Sequence, residues 1–305
     1  MCTQHETCIM TLSGNTCAII CDNGRYAVVD SHARSADGMV DPTGQSVVLY
    51  FANLDNVFQH FQRFASELVG SQRLFEITGV DIVQMDTFKN VSEQTDDIDI
   101  NPVIFVSDAS SFHSSPVSRD VSQALSKCLN VKSAMVDESS PDPSCSTSVV
   151  NVDDDNSIVD NDTILSSLTG SFNQSDGRFQ YGGVQCAAIS LVALTKHNIQ
   201  SVFSWDVAML DNVVVLGDEL YTYLRDRNLI SAGNVFLSVP ELPKEIVMGE
   251  QTFKLNYGDF ISGNVDLVEG ELINAGVYTS LWDGLNKMCT QYETCFITLG
   301  DNTCA

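Results

Sequence analysis

The eighteen residues MCTQHETCIMTLSGNTCA (1–18) return at the other end of the chain as MCTQYETCFITLGDNTCA (288–305). Thirteen of the eighteen positions are identical, in a pattern too long and irregular for chance or low complexity. The offset from residue 1 to residue 288 is that of a domain rather than of a solenoid unit. The expectation is a window on a tandem array of one domain, opening inside one copy and closing inside the next. Residues 1–70 then form the strand-rich C-terminal half of a domain and 171–305 the N-terminal half of the following copy. Between them, 71–170 reads as an acidic linker.

Composition narrows the functional classes. The 305 residues are 44% apolar with mean hydropathy near zero, as in soluble globular proteins. A formal charge of −25 disfavours nucleic-acid phosphates and anionic lipid as partners. No membrane-length apolar run and no signal peptide is visible, so an intracellular protein, cytoplasmic or nuclear, is expected. Ten cysteines without zinc-type spacing read mostly as reduced core residues, and no metal or organic cofactor is expected.

The linker is legible as composition. SEQTDDIDI, SSFHSSPVSRD, DESSPDPSCSTS and DDDNSIVDND bury too little apolar surface to offset chain entropy, so disorder is expected over about 90–165. One helical exception, RDVSQALSKCLNV, aligns Val121, Leu125 and Leu129. The triple aspartate at 153–155 reads as a solvated run.

In the first segment TCIMTL, CAIIC and RYAVVDSH are β-prone runs, and the Asp-Asn-Gly between the last two is a strong hairpin signal. Period-two alternation puts Tyr26, Val28, Asp30 and His32 on one face. QSVVLYF adds a strand. A helix follows with Asn53 as N-cap and Leu54, Phe58, Phe61, Phe64, Ala65 and Leu68 on one stripe. In the last segment Gly182-Gly183 leads into a helix starting at Cys186. A second helix follows, in which Gly217 predicts a break, then strands at VFLSV and QTFKLNY and a helix over GVYTSLWDGLNKM.

A cysteine at a helix N-terminus is where backbone N–H groups and the helix dipole favour the thiolate, which is the nucleophile. With a histidine base oriented by a carboxylate, the parts of a papain-like cysteine protease are present: Cys186, His32 and Asp30. Gln174, twelve residues before Cys186, supplies a side-chain N–H for an oxyanion. The other histidines read as structural. His5 is Tyr292 in the repeat, His60 lies in the first helix, His113 in the linker, and His197 late in the helix after Cys186.

NQSDGRFQYGGVQCAA, GDELY, CFITLGDNTCA and GRYAVVDSHARSADGM…GQSVVLYF together resemble the ubiquitin-specific cysteine protease domain of herpesvirus large tegument proteins, also found in animal mobile elements. The resemblance covers both outer segments and not the linker. It implies an α+β, papain-like fold that cleaves after the tail of ubiquitin or a ubiquitin-like protein. Cys186 would be the nucleophile, His32 the base, Asp30 its orienting carboxylate and Gln174 the oxyanion donor. The order departs from the family, where the cysteine precedes Asp-x-His. The chain is therefore expected to be permuted or split, with the two copies of the repeated strand competing for one slot. A domain-swapped homo-oligomer is the alternative arrangement. The competing functional readings are a protease that processes a polyprotein of its own viral or mobile element, and a non-catalytic fragment of a tandem array.

Overall fold

A computed structural model describes residues 7–12, 15–68, 73–85, 103–105, 164–230, 235–265, 279–291 and 294–296. Residues 1–107 and 160–305 form one compact unit. A second, 108–159, lies outside the described residues, as do the expected helix at 119–131 and the body of the linker.

The turn chemistry acts first. β2 (Asn15–Asp22) and β3 (Arg25–Arg34) form a hairpin closed by Asp22 opposite Arg25. Its corner residues Asn23 and Gly24 both take positive φ, 53° and 76°, the left-handed pair that a two-residue hairpin requires. β1 (Thr7–Leu12) precedes this hairpin, and β4 (Gln45–Phe51) pairs with β3. α1 (Leu54–Glu67) starts where the Asn53 side chain accepts the Asn56 backbone N–H at 2.9 Å.

Residues 74–85, which composition assigns to the start of the linker, instead form β5, paired along its length with β9 (Gln251–Asn264). Alternation along LFEITGV buries Phe75 and Ile77, an apolar face that the averaged acidity of the following segment hides. β6 (Val103–Phe105) also lies within the expected linker, as does β7 (Ser166–Thr169), which pairs with β4. The remaining elements are α2 (Cys186–Ile199), α3 (Val207–Asp226), β8 (Glu245–Met248), β10 (Thr279–Ser280), α4 (Leu281–Gln291) and β11 (Thr294–Phe296). The sheet runs β6-β8-β9-β5, then β1 and β11, then β2-β3-β4-β7. This is an α+β fold in which both outer segments contribute strands to one sheet.

Alternation on β2 divides the core. Ala18 and Ile20 pack with α2 and α3 on one face, Cys17 and Ile19 with α1 and α4 on the other. α2 is buried on nearly all sides, from Cys186 to Lys196, which is why its sequence shows no polar stripe. Two expectations change. VFLSV is not a strand: Ser238 and Glu241 close a capping box around a short 3-10 turn containing Pro240, which lacks the N–H a ladder needs. Gly217 does not break α3. A Cβ there would stand 2.4 Å from Ile189 Cα, so the glycine permits close contact between α2 and α3.

The repeat meets itself in the sheet. Thr7 and Thr294 both pair with Ile20, Cys8 and Cys295 both with Ile19, and Cys8 and Cys295 both with Gly79. A strand edge offers one row of N–H and C=O groups, and β1 and β11, which also pair in parallel with each other at Ile9 and Phe296, share the same partner residues of β2 and β5.

Candidate active site

Cys186 is the first residue of α2 and 2% exposed. The preceding residue fixes that helix start: the buried Gln185 donates from Nε2 to Asp218 Oδ1 of α3 at 2.8 Å, and its Oε1 accepts the Val184 backbone N–H. Two strands of the first segment, β2 and β3, complete the surroundings of the sulfur. His32 of β3 hydrogen-bonds the Cys186 thiol, and Thr16 of β2 does so through both side chain and backbone.

Asp30 and His32 meet as the period-two pattern expects. Asp30 Oδ1 accepts the His32 backbone N–H at 2.9 Å and lies 2.6 Å from Nδ1, which fixes the orientation of the imidazole. The register of β3 against β4 shifts between Asp30 and Arg34.

Electrostatics follow from this packing. Burial pushes the Asp30 carboxyl up, but the Arg34 and His32 cations beside it hold it far below the usual carboxylate range. Burial pushes His32 down, but the Asp30 charge and hydrogen bond, with a smaller contribution from Cys186, raise it to about 9. Burial pushes the Cys186 thiol up, and the hydrogen bond and charge of His32 together with the hydrogen bonds of Thr16 outweigh it, leaving the thiol below its ordinary value. Both shifts favour an imidazolium beside a thiolate, the state in which cysteine is a nucleophile.

Gln174 is 1% exposed and joins the site through Ser31, the residue between Asp30 and His32. The Gln174 backbone N–H donates to Ser31 O at 2.8 Å, and Ser31 Oγ donates to Gln174 Oε1 at 3.1 Å. With the amide oxygen so engaged, the NH2 end is left to donate. The Gln174 carbonyl in turn accepts the Gly183 N–H, tying it to the loop that enters α2.

Ser31, Thr16, Gln185 and Arg34 also belong to this site, and no motif in the sequence singles them out. Arg34 donates from Nε to Asp30 Oδ2 at 2.7 Å and is 3% exposed. Its signal was present, since residue 34 continues the alternation of 30 and 32. Thr16 recurs as Thr303 in the repeat. His60, read as structural, is buried against Phe51 and Phe61 near Asp30, and burial lowers it to about 4.

No curated protein and no solved structure matches the chain. Residues 169–298, which include Gln174 and Cys186, match the family described as herpesvirus tegument protein, N-terminal conserved region.

Proposed function

We propose that this chain is a papain-like cysteine protease acting on ubiquitin, with its domain permuted so that the nucleophile follows the Asp-His pair. The observation that carries the reading is the Cys186 thiol at a helix start, hydrogen-bonded to a His32 whose Nδ1 lies 2.6 Å from Asp30. The match of residues 169–298 to the tegument N-terminal region supports it through the resemblance to the ubiquitin-specific domain of large tegument proteins.

In the reaction the Cys186 thiolate attacks the carbonyl carbon at the end of the ubiquitin Gly-Gly tail. The oxyanion accepts hydrogen bonds from the Gln174 amide and from the Cys186 backbone N–H, an unpaired first-turn donor of α2. His32 gives its proton to the departing amine as the C–N bond breaks, leaving a thioester. Neutral His32 then takes a proton from water, the resulting hydroxide attacks the thioester, and C–S cleavage restores the thiolate beside the imidazolium.

The test is hydrolysis of ubiquitin carrying a fluorogenic C-terminal amide by the purified 305-residue chain. Turnover that disappears in Cys186→Ala supports the reading. A folded chain that leaves ubiquitin and ubiquitin-like substrates intact, while Cys186 still reacts with alkylating agents, sinks the substrate assignment and favours polyprotein processing.

A further inference from the structure

We propose that Arg34 is a positioning residue of this site, a buried guanidinium that fixes the Asp30 carboxylate for His32 and balances the charge of the thiolate–imidazolium pair. The inference rests on the pairing of Cys186 with His32 and is independent of what the substrate is.

The geometry divides the carboxylate between two cations. Oδ1 serves His32 through the backbone N–H and Nδ1, while Oδ2 accepts Arg34 Nε at 2.7 Å. Arg34 is itself held in place. Its Nη2 donates to Asn15 Oδ1 at 2.9 Å, and its guanidinium lies over the Phe64 ring at 4.6 Å from the centroid. A carboxylate bonded at both oxygens cannot turn away from the imidazole.

The second consequence is charge. Arg34, Asp30, His32 and Cys186 form a set of alternating sign, buried except for the partly exposed His32, that sums to zero when the cysteine is ionised. Without Arg34 the same state carries a net negative charge away from water, which favours protonation of the thiolate. Other ionisable groups facing the set do not replace it. His60 on α1 is held neutral, its value lowered to about 4, and Tyr221 on α3 is raised above the ordinary tyrosine value by burial. Arg63 is engaged at the surface with Asp37 at 2.7 Å.

The experiment is the pH dependence of Cys186 alkylation by iodoacetamide in the full chain, read on the Cys186 peptide by mass spectrometry. Arg34→Gln is expected to move the acid-side midpoint up by about one unit, a roughly tenfold slower reaction below the midpoint, and Arg34→Lys to restore most of the shift. A purely structural role would lower the melting temperature in both variants and leave the midpoint in place, and that result overturns the proposal. Should Arg34→Gln lose its cooperative melt, Asn15→Ala carries the test, with a smaller upward shift expected and an unmoved midpoint overturning it. A wild-type Cys186 that titrates as an ordinary thiol overturns both this proposal and the pairing beneath it. Inactivity towards ubiquitin alone leaves the midpoint comparison valid.

Discussion

Consider a chain lacking residues 1–12, one lacking 294–305, and one lacking both. The register of β1 pairs it with six residues of β2 and four of β5. Each backbone hydrogen bond contributes about 0.5–1.5 kcal/mol net, so emptying the position would cost on the order of 5–10 kcal/mol. That is comparable with the whole stability of a domain, about 5–15 kcal/mol. A single deletion should cost far less, because the other copy enters the same register: Thr294 replaces Thr7 opposite Ile20, and Cys295 replaces Cys8 opposite Ile19 and Gly79. The residual loss, from the few differing side chains and a shorter ladder, should be about 1–2 kcal/mol. Urea melts followed by circular dichroism on the four chains measure all of these. If either single deletion costs as much as the double one, the copies are not alternative occupants and the reasoning fails.

The pH behaviour has two limbs of opposite origin. His60 has a folded value of about 4 against an ordinary 6.5. The unfolded chain therefore takes the proton first, and stability present above pH ~6.5 should fall by roughly 3 kcal/mol as pH drops towards 4. Chemical denaturation at several pH values checks this, and His60→Phe should flatten the slope. His32, raised to about 9, stabilises the fold below its unfolded value and loses that contribution as pH rises through about 9. Turnover of a ubiquitin amide should decline over the same range as the proton for the leaving group is lost. Gln174→Ala should lower kcat by roughly 10²–10³, measured with the same substrate, through loss of the oxyanion donor. Gly217→Ala should destabilise by about 1–3 kcal/mol or more in thermal melts, since its Cβ would meet Ile189 Cα at 2.4 Å.

Local chemistry was the legible part of the sequence. Asp-Asn-Gly specified a hairpin corner, Asn53 a cap, and period two the adjacency of Asp30 and His32, because each depends on neighbours within a few residues. What was not legible depends on partners distant in sequence. The strand at 74–85 is defined by pairing with 251–264, and its apolar alternation was overshadowed by the acidic segment after it. Gly217 resembles a helix breaker until Ile189 of another helix is placed against it. Gln174 is legible in the sequence as an amide at a suitable spacing from Cys186. That its oxygen is taken by Ser31, more than a hundred residues away, follows only once the two segments share a sheet. Arg34 sat on the predicted face but reads as a surface cation until Phe64 and Asn15 enclose it.

The proposed reaction requires His32 and Cys186, from the two outer segments of the chain, to work as one site. Ubiquitin bearing a C-terminal electrophile, added to the wild-type chain, Cys186→Ala and His32→Ala, tests it directly. A covalent adduct on Cys186 in the wild type that is absent in Cys186→Ala and strongly slowed in a folded His32→Ala is the predicted result. An adduct that forms at the wild-type rate in His32→Ala would contradict it.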